Sequence, residues 1–303
     1  MQYLLIFNQS ILPIFIIALI AFVFKKVSRP DIKQIAGPAL QVFVPILVFD
    51  SLTRFDFAIS RLVQPFAFMV LLTAALIALA ALAARLLRLE PGQRISFILA
   101  ASMINIGNFG LPLIYFTFGQ EAEAYSVIVF IIFNIPLSTV AIYLSSDKTR
   151  IREVLADISR IPIFHAFLAA LVFCHFNWSL PEGLAKGVHL LAQGAIPLII
   201  FILGLQLADI SLKGRVREFM LAIAVAVCIR LLLSPVIAQA LLSWLPLTQL
   251  EHKVALVQTS GPSALLPLMY AIRFNRSPDL LAAIILLTTL LSGLTLPAII
   301  RML

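Results

Sequence analysis

Two runs gather most of the residues able to do chemistry in this chain. One is Asn105-Ile106-Gly107-Asn108-Phe109-Gly110-Leu111-Pro112; the other is Gln258-Thr259-Ser260-Gly261-Pro262-Ser263-Ala264-Leu265-Leu266-Pro267. Each sets amides or hydroxyls beside residues that interrupt helices. Pro112, Pro262 and Pro267 cannot donate to a helical ladder and clash with the turn before them. Gly107, Gly110 and Gly261 tolerate dihedrals that other residues resist. The backbone is therefore expected to open at both runs. Where a half-helix starts again, its free N–H groups and its dipole favour an anion. Asn105, Asn108, Gln258, Thr259 and Ser260 are expected to complete the lining, with Gln206 as a further polar contributor. An amide can orient a carboxylate or coordinate a cation through its carbonyl. The chemistry is thus reversible binding of an anion, a sodium ion or both.

Bond-making chemistry has no comparable signal. Ser260 stands beside no His–Asp pattern. The four histidines show no metal-ligand spacing, and Cys174 and Cys228 lie in apolar runs without a CxxC motif. No enzyme, metal site or prosthetic group is expected. Three isolated charges need a reading of their own. Arg230 sits inside an apolar run, where an arginine is costly and is usually paired or functional. It is read as a substrate contact, as a partner of Asp50 or Asp209, or as a side chain reaching toward an interface. Asp50, toward the end of its run, is a candidate for coupling through a proton, whereas Asp209 reads as a solvated cap. Asn134 reads as a structural hydrogen bond.

The elements that must hold these residues are membrane helices. Of 303 residues, 62% are hydrophobic and 12% charged, too few charges to cover a soluble surface. Runs of about 20 apolar residues predict ten spans at 3–24, 34–53, 62–84, 94–118, 124–145, 161–177, 187–208, 218–242, 252–272 and 280–300. The first lacks a basic leader and a small-x-small site and is expected to be a retained span. Sixteen of the 22 Lys and Arg residues fall in loops after odd-numbered spans, five fall on the other side, and Arg230 lies within a span. The positive-inside rule then places both termini outside the cytoplasm. The net charge of +8 is therefore a topology signal and does not imply a nucleic-acid partner.

The two runs occupy spans four and nine, and the punctuation repeats. Leu111-Pro112-Leu113-Ile114-Tyr115 matches Leu266-Pro267-Leu268-Met269-Tyr270. Val44-Pro45-Ile46 in span two matches Ile196-Pro197-Leu198 in span seven. The offsets are 152 and 155 residues. Five spans per half is an odd number, so the second half must enter with opposite polarity. The expected fold is an all-α polytopic membrane protein: ten transmembrane helices in two inverted five-helix repeats, residues 1–148 and 158–303, with helices four and nine broken. Pro45, Pro197 and Pro235 read as simple kinks.

The Asn-Ile-Gly-Asn-Phe-Gly-Leu-Pro run of span four resembles the signature of the auxin efflux carrier family, whose members include bacterial malate-permease-like proteins. Arg230-Leu231-Leu232-Leu233-Ser234-Pro235 and Gly204-Leu205-Gln206-Leu207 are similar to weaker patterns of that family. The resemblance implies the bile acid:sodium symporter fold, in which broken helices four and nine cross at the substrate site and helices one, two, six and seven form a panel that moves against this core. Asn105, Asn108, Pro112, Gly261, Pro262 and Pro267 would then be crossover residues. It further implies a carrier for small organic anions such as carboxylates, with a homodimer as its assembly; the cell's inner membrane is the expected location, and coupling stays open among uniport, H+ and Na+. The chain departs from plant members in having Thr-Ser-Gly-Pro in span nine and no long loop between spans five and six. An anion channel, which needs a continuous polar ring, a uniporter-like pore and a non-transporting sensor are the competing readings.

Overall fold

The computed structural model describes residues 2–54, 62–145, 161–210 and 216–303. The basic residues counted at 61, 148–160 and 213–215, and the ends of the two halves at 148 and 158, lie outside the described residues. Twelve helical segments make up what is described. Seven are long and apolar enough to cross a membrane: α1 (Gln2–Ser28), α2 (Ile32–Arg54), α3 (Val63–Leu86), α6 (Gln120–Ser145), α8 (Glu182–Asp209), α9 (Met220–Leu242) and α12 (Pro278–Arg301). Shorter segments are α4 (Pro91–Ser102), α5 (Ile106–Phe118), α7 (Pro162–His175), α10 (Gln249–Thr259) and α11 (Leu266–Arg273). No strand occurs among the described residues beyond one isolated bridge. The chain is an all-α polytopic membrane protein.

Prolines account for most irregular turns. A widened π-helical turn occupies Phe7–Ile11, Ala39–Phe43, Ile106–Gly110 and Ile229–Leu233. Each ends two residues before a proline: Pro13, Pro45, Pro112 and Pro235. Proline removes one N–H and collides with the carbonyl four residues back. Widening the preceding turn relieves the collision and keeps the helix running. Pro45 and Pro235, expected as simple kinks, are therefore sites of widened turns. Pro136, Pro197 and Pro297 stay within their helices without one.

The segments pack as two groups. α8 lies along α1 and α2, and α7 packs against α2. The other group joins α3, α4, α6 and α9 to α12 through contacts such as α3–α4, α3–α6, α4–α12 and α9–α12. α5 packs with α6 and α10 and also meets α1 and α8. The α1–α8 contact is close enough to require glycine: a Cβ on Gly204 would stand 2.1 Å from the Ala18 carbonyl oxygen. The C-terminal end of α8 is met by α1, where Lys26 Nζ donates to Ala208 O at 2.7 Å and Lys25 lies 3.3 Å from the half-exposed Asp209. Leucines such as Leu19, Leu71, Leu82, Leu221 and Leu294 are exposed on the outside, where a bilayer supplies their apolar surroundings.

α4 and α10 are built alike. Both begin with a capping box, Glu90 with Gln93 and Thr248 with Glu251, which satisfies first-turn N–H groups. Both end abruptly inside the bundle, at Ser102 and Thr259, and each is continued by a proline-containing helix.

Candidate functional site

The two interruptions meet. Ile104 and Ser263 form an antiparallel bridge. Asn105 N donates to Pro262 O at 2.8 Å, and Ala264 N donates to Met103 O at 2.9 Å. Ser263 Oγ donates to Ala100 O at 2.6 Å, so the α10–α11 linker satisfies carbonyls that the end of α4 leaves open. Buried backbone that leaves its helix must find such partners, and here each break supplies the other's.

The opening lies earlier in the first run than the glycines suggest. Met103 is extended, and Asn105 sits at φ −81°, ψ 66°. Gly107, Gly110 and Gly261 all keep negative φ; Gly119 is the positive-φ glycine of the described chain. Their expected role as permissive dihedrals is corrected to close packing for two of them. A Cβ on Gly107 would stand 2.7 Å from the Phe130 ring, and one on Gly110 2.9 Å from Gln258 Cγ. Gly261 has ordinary room. Pro112 follows the widened turn, Pro262 lends its carbonyl to the bridge, and Pro267 lies in the first turn of α11.

The polar side chains divide by what they touch. Gln258 is fully buried; its Nε2 donates to Ser126 O at 3.1 Å and to Ile106 O at 3.4 Å, leaving Oε1 without a partner. Thr259 Oγ1 and Ser260 Oγ, also fully buried, both bond back onto their own helix at 2.6 Å, to Ala255 O and Leu256 O. Asn105 keeps an unpartnered Nδ2. Asn108 reaches the other helix group, its Nδ2 donating to Gln206 Oε1 on α8 at 3.3 Å. Asn134 Nδ2 donates to Phe130 O at 2.8 Å, a local structural bond.

Arg230 is 0% exposed and pairs with neither Asp50 nor Asp209. Its Nη2 donates to Thr259 O at 2.7 Å and to Ser234 Oγ, and its Nη1 reaches Ser102 O at 3.5 Å. Complete burial also removes the reading in which it reaches an interface.

A cavity of about 270 Å³ opens between α1, α2 and α8 on one side and α5 and α6 on the other; Asn105, Asn108, Arg230, Gln258, Thr259 and Ser260 are not among the residues that line it. Its walls are apolar at Ile17, Leu47, Tyr115, Phe116 and Ile196, and carry the ionisable side chains of Asp50, Arg54, Glu123 and His189. His189 Nδ1 lies 2.8 Å from Asp50 Oδ2, and Gln193 Nε2 lies 3.0 Å from His189 Nε2. Arg54 Nη1 lies 2.8 Å from His189 Nδ1 and 3.7 Å from Asp50. Ser51 Oγ donates to Glu123, tying α2 to α6. Asp50 was visible in the sequence. Arg54, Glu123, His189 and Gln193 were not singled out, because they come from three helices and share no linear motif. Their signal was weaker: charges near span ends that general solvation also explains.

Among the described residues, no group of three or more His, Cys, Asp or Glu could hold a metal ion. The family described as membrane transport proteins matches residues 6–300. The chain is 28% identical over 301 residues to an uncharacterized transporter of Methanothermobacter thermautotrophicus, covering 96% of each. It is 27% identical over 204 residues to one of Methanocaldococcus jannaschii, 66% of this chain and 65% of the relative. It is 28% identical over 125 residues to auxin efflux carrier component 8 of Arabidopsis thaliana, 40% of this chain and 34% of the relative. A match running nearly end to end makes this protein a member of that membrane transport family, similar to auxin efflux carriers, and a transporter rather than an enzyme.

Proposed function

We propose that this protein is a secondary or gradient-driven carrier of small organic anions, carboxylates in the first instance, working by alternating access. The observation that carries the reading is the pair of helix breaks hydrogen-bonded to one another, with α5 running on from its break into the wall of a cavity at Tyr115 and Phe116. Interrupted backbone survives in a bilayer only where protein or a polar cavity receives it, and paired half-helices of this kind frame the binding sites of secondary transporters. In this reading α4 with α5 and α10 with α11 are the fourth and ninth of ten spans in two inverted repeats. α1, α2, α7 and α8 form the panel against which the rest moves. Matching capping boxes on α4 and α10 support the repeat.

In this reading Asn105 and Asn108 orient the anion, the spare Asn105 Nδ2 being a donor for a carboxylate oxygen, and Gln258, Thr259 and Ser260 shape the break beside them. Asp50 is the coupling residue. Asp50 and Glu123 share the cavity with Arg54 and His189, which gives it groups able to take up and release a proton and favours H+ as the coupling ion. The count of basic loops puts this cavity on the outer side of the inner membrane, with both termini outside. The bilayer is one partner; a homodimer is the assembly that the family resemblance suggests.

The test is reconstitution into liposomes and uptake of labelled mono- and dicarboxylates, with sodium and pH varied separately. Saturable uptake that follows a gradient is the expected result. No uptake of any organic anion, together with single-channel conductance, would sink the carrier reading in favour of a channel. Binding without flux would point to a sensor.

A further inference from the structure

The last carbonyls of a helix have no intrahelical donor and carry partial negative charge. α4 and α10 both bring such an end into the interior of the bundle, where water cannot meet it. One side chain answers both. Arg230 Nη2 donates to the final carbonyl of α10, Thr259 O, at 2.7 Å, and Nη1 reaches the final carbonyl of α4, Ser102 O, at 3.5 Å. Ser234, four residues along α9, accepts a third bond. The guanidinium is wholly buried, and no carboxylate among the described residues lies within ion-pair distance of it. It issues from the widened turn Ile229–Leu233. An arginine that answers carbonyl ends instead of an acid behaves as a counter-charge for two helix dipoles.

In ion-coupled carriers, half-helix C-terminal ends and unwound carbonyls coordinate the coupling cation. Here the corresponding acceptors are already held by a cation that cannot leave. We propose that Arg230 is a tethered cation standing where a coupling metal ion would bind, holding the ends of α4 and α10 together and making the protein independent of sodium. This rests on the carrier reading. It deepens it, because coupling then falls on the protonatable groups of the cavity, Asp50, Glu123 and His189. It also moves Arg230 from a substrate ligand to a positioning residue.

The experiment is a thermal-unfolding series on the purified full chain in detergent, in sodium, lithium, potassium and choline chloride at equal ionic strength. The wild-type midpoint should be the same in all four salts to within about 1 °C, since no cation site is open. Arg230→Met should unfold about 5–10 °C lower in choline and recover part of the loss in sodium or lithium, which enter the vacated carbonyl site. Arg230→Lys should keep a charge there and lose less, with no sodium effect. A wild-type midpoint raised by sodium over potassium and choline would overturn the proposal. So would an Arg230→Met variant as stable as wild type, or one destabilised but unmoved by small cations. If Arg230→Met does not fold, the wild-type series and Ser234→Ala still decide: Ser234→Ala should lower the midpoint equally in every salt, and a sodium-specific shift in either would overturn the proposal. The series reads folding and needs no substrate. Failure of the carrier reading appears in the uptake assay instead, with the melting series unchanged.

Discussion

Adding one methyl group to Gly204 tests whether α1 and α8 form a single rigid unit. The new Cβ would stand 2.1 Å from Ala18 O, 2.8 Å from Ala18 C and 2.7 Å from Ala21 Cβ, where ordinary contact starts near 3.4 Å. Two of the three obstacles are backbone, so no rotamer change relieves them, and the helices must part by about 1 Å against a close-packed interior. Overpacking of this kind costs about 3 kcal/mol at the upper end of its usual range. Alanine returns about 1 kcal/mol of helix propensity, for a net loss of about 2 kcal/mol and an unfolding midpoint lower by about 4–8 °C. Gly187, on the same helix, provides the control, because nothing lies within 4 Å of a Cβ there. Gly187→Ala should gain up to about 1 kcal/mol. Both midpoints can be read from helix content by circular dichroism in detergent. A Gly204→Ala midpoint at or above wild type, or equal losses at the two positions, would refute the close approach.

The remaining expectations concern transport in proteoliposomes. Asn108→Ala removes an amide and its bond to Gln206; loss of one hydrogen bond to a charged ligand should lower uptake about 10–100-fold, and wild-type kinetics in a folded variant would remove Asn108 from the site. If uptake is coupled to a proton carried by the Asp50 cluster, wild-type uptake should rise as the outer pH falls, by up to about tenfold per pH unit. Asp50→Asn, which cannot carry that proton, should flatten the dependence, and His189→Gln, which removes the ring 2.8 Å from Asp50, should alter it. Profiles that superimpose on wild type for both variants would exclude this cluster from coupling. Gly110→Ala would press on Gln258 Cγ at 2.9 Å and Asn105 O at 3.4 Å; slowed uptake with little change in midpoint is expected, and unchanged uptake would mean the breaks tolerate being pushed apart.

Much of the scaffold could be read before any coordinates. Apolar runs separated by basic loops marked the helices, and Asn105 to Pro112 and Thr259 to Pro267 marked the interruptions, because proline and neighbouring amides act locally. The position of the opening was less legible. Gly107 and Gly110 stand out in the sequence, yet the helix is interrupted at Met103 to Asn105. The glycines serve contacts with Phe130 and Gln258, and such contacts leave no trace in a linear pattern. Arg230 was conspicuous as a charge in an apolar run, but its partners are two backbone carbonyls, which carry no sequence signature at all.

What the sequence determined by itself is the membrane environment and the two places where helices fail, since burial cost and proline sterics depend on residue type and near neighbours. Only the tertiary structure decided that the two failures pair through Ile104 and Ser263, that Arg230 closes both helix ends, and that Asp50, Arg54, Glu123 and His189 share one cavity. Hydrogen bonds and charge clusters join residues far apart in the chain, 159 positions for Ile104 and Ser263 and 139 for Asp50 and His189, and their partners are chosen by how the helices pack.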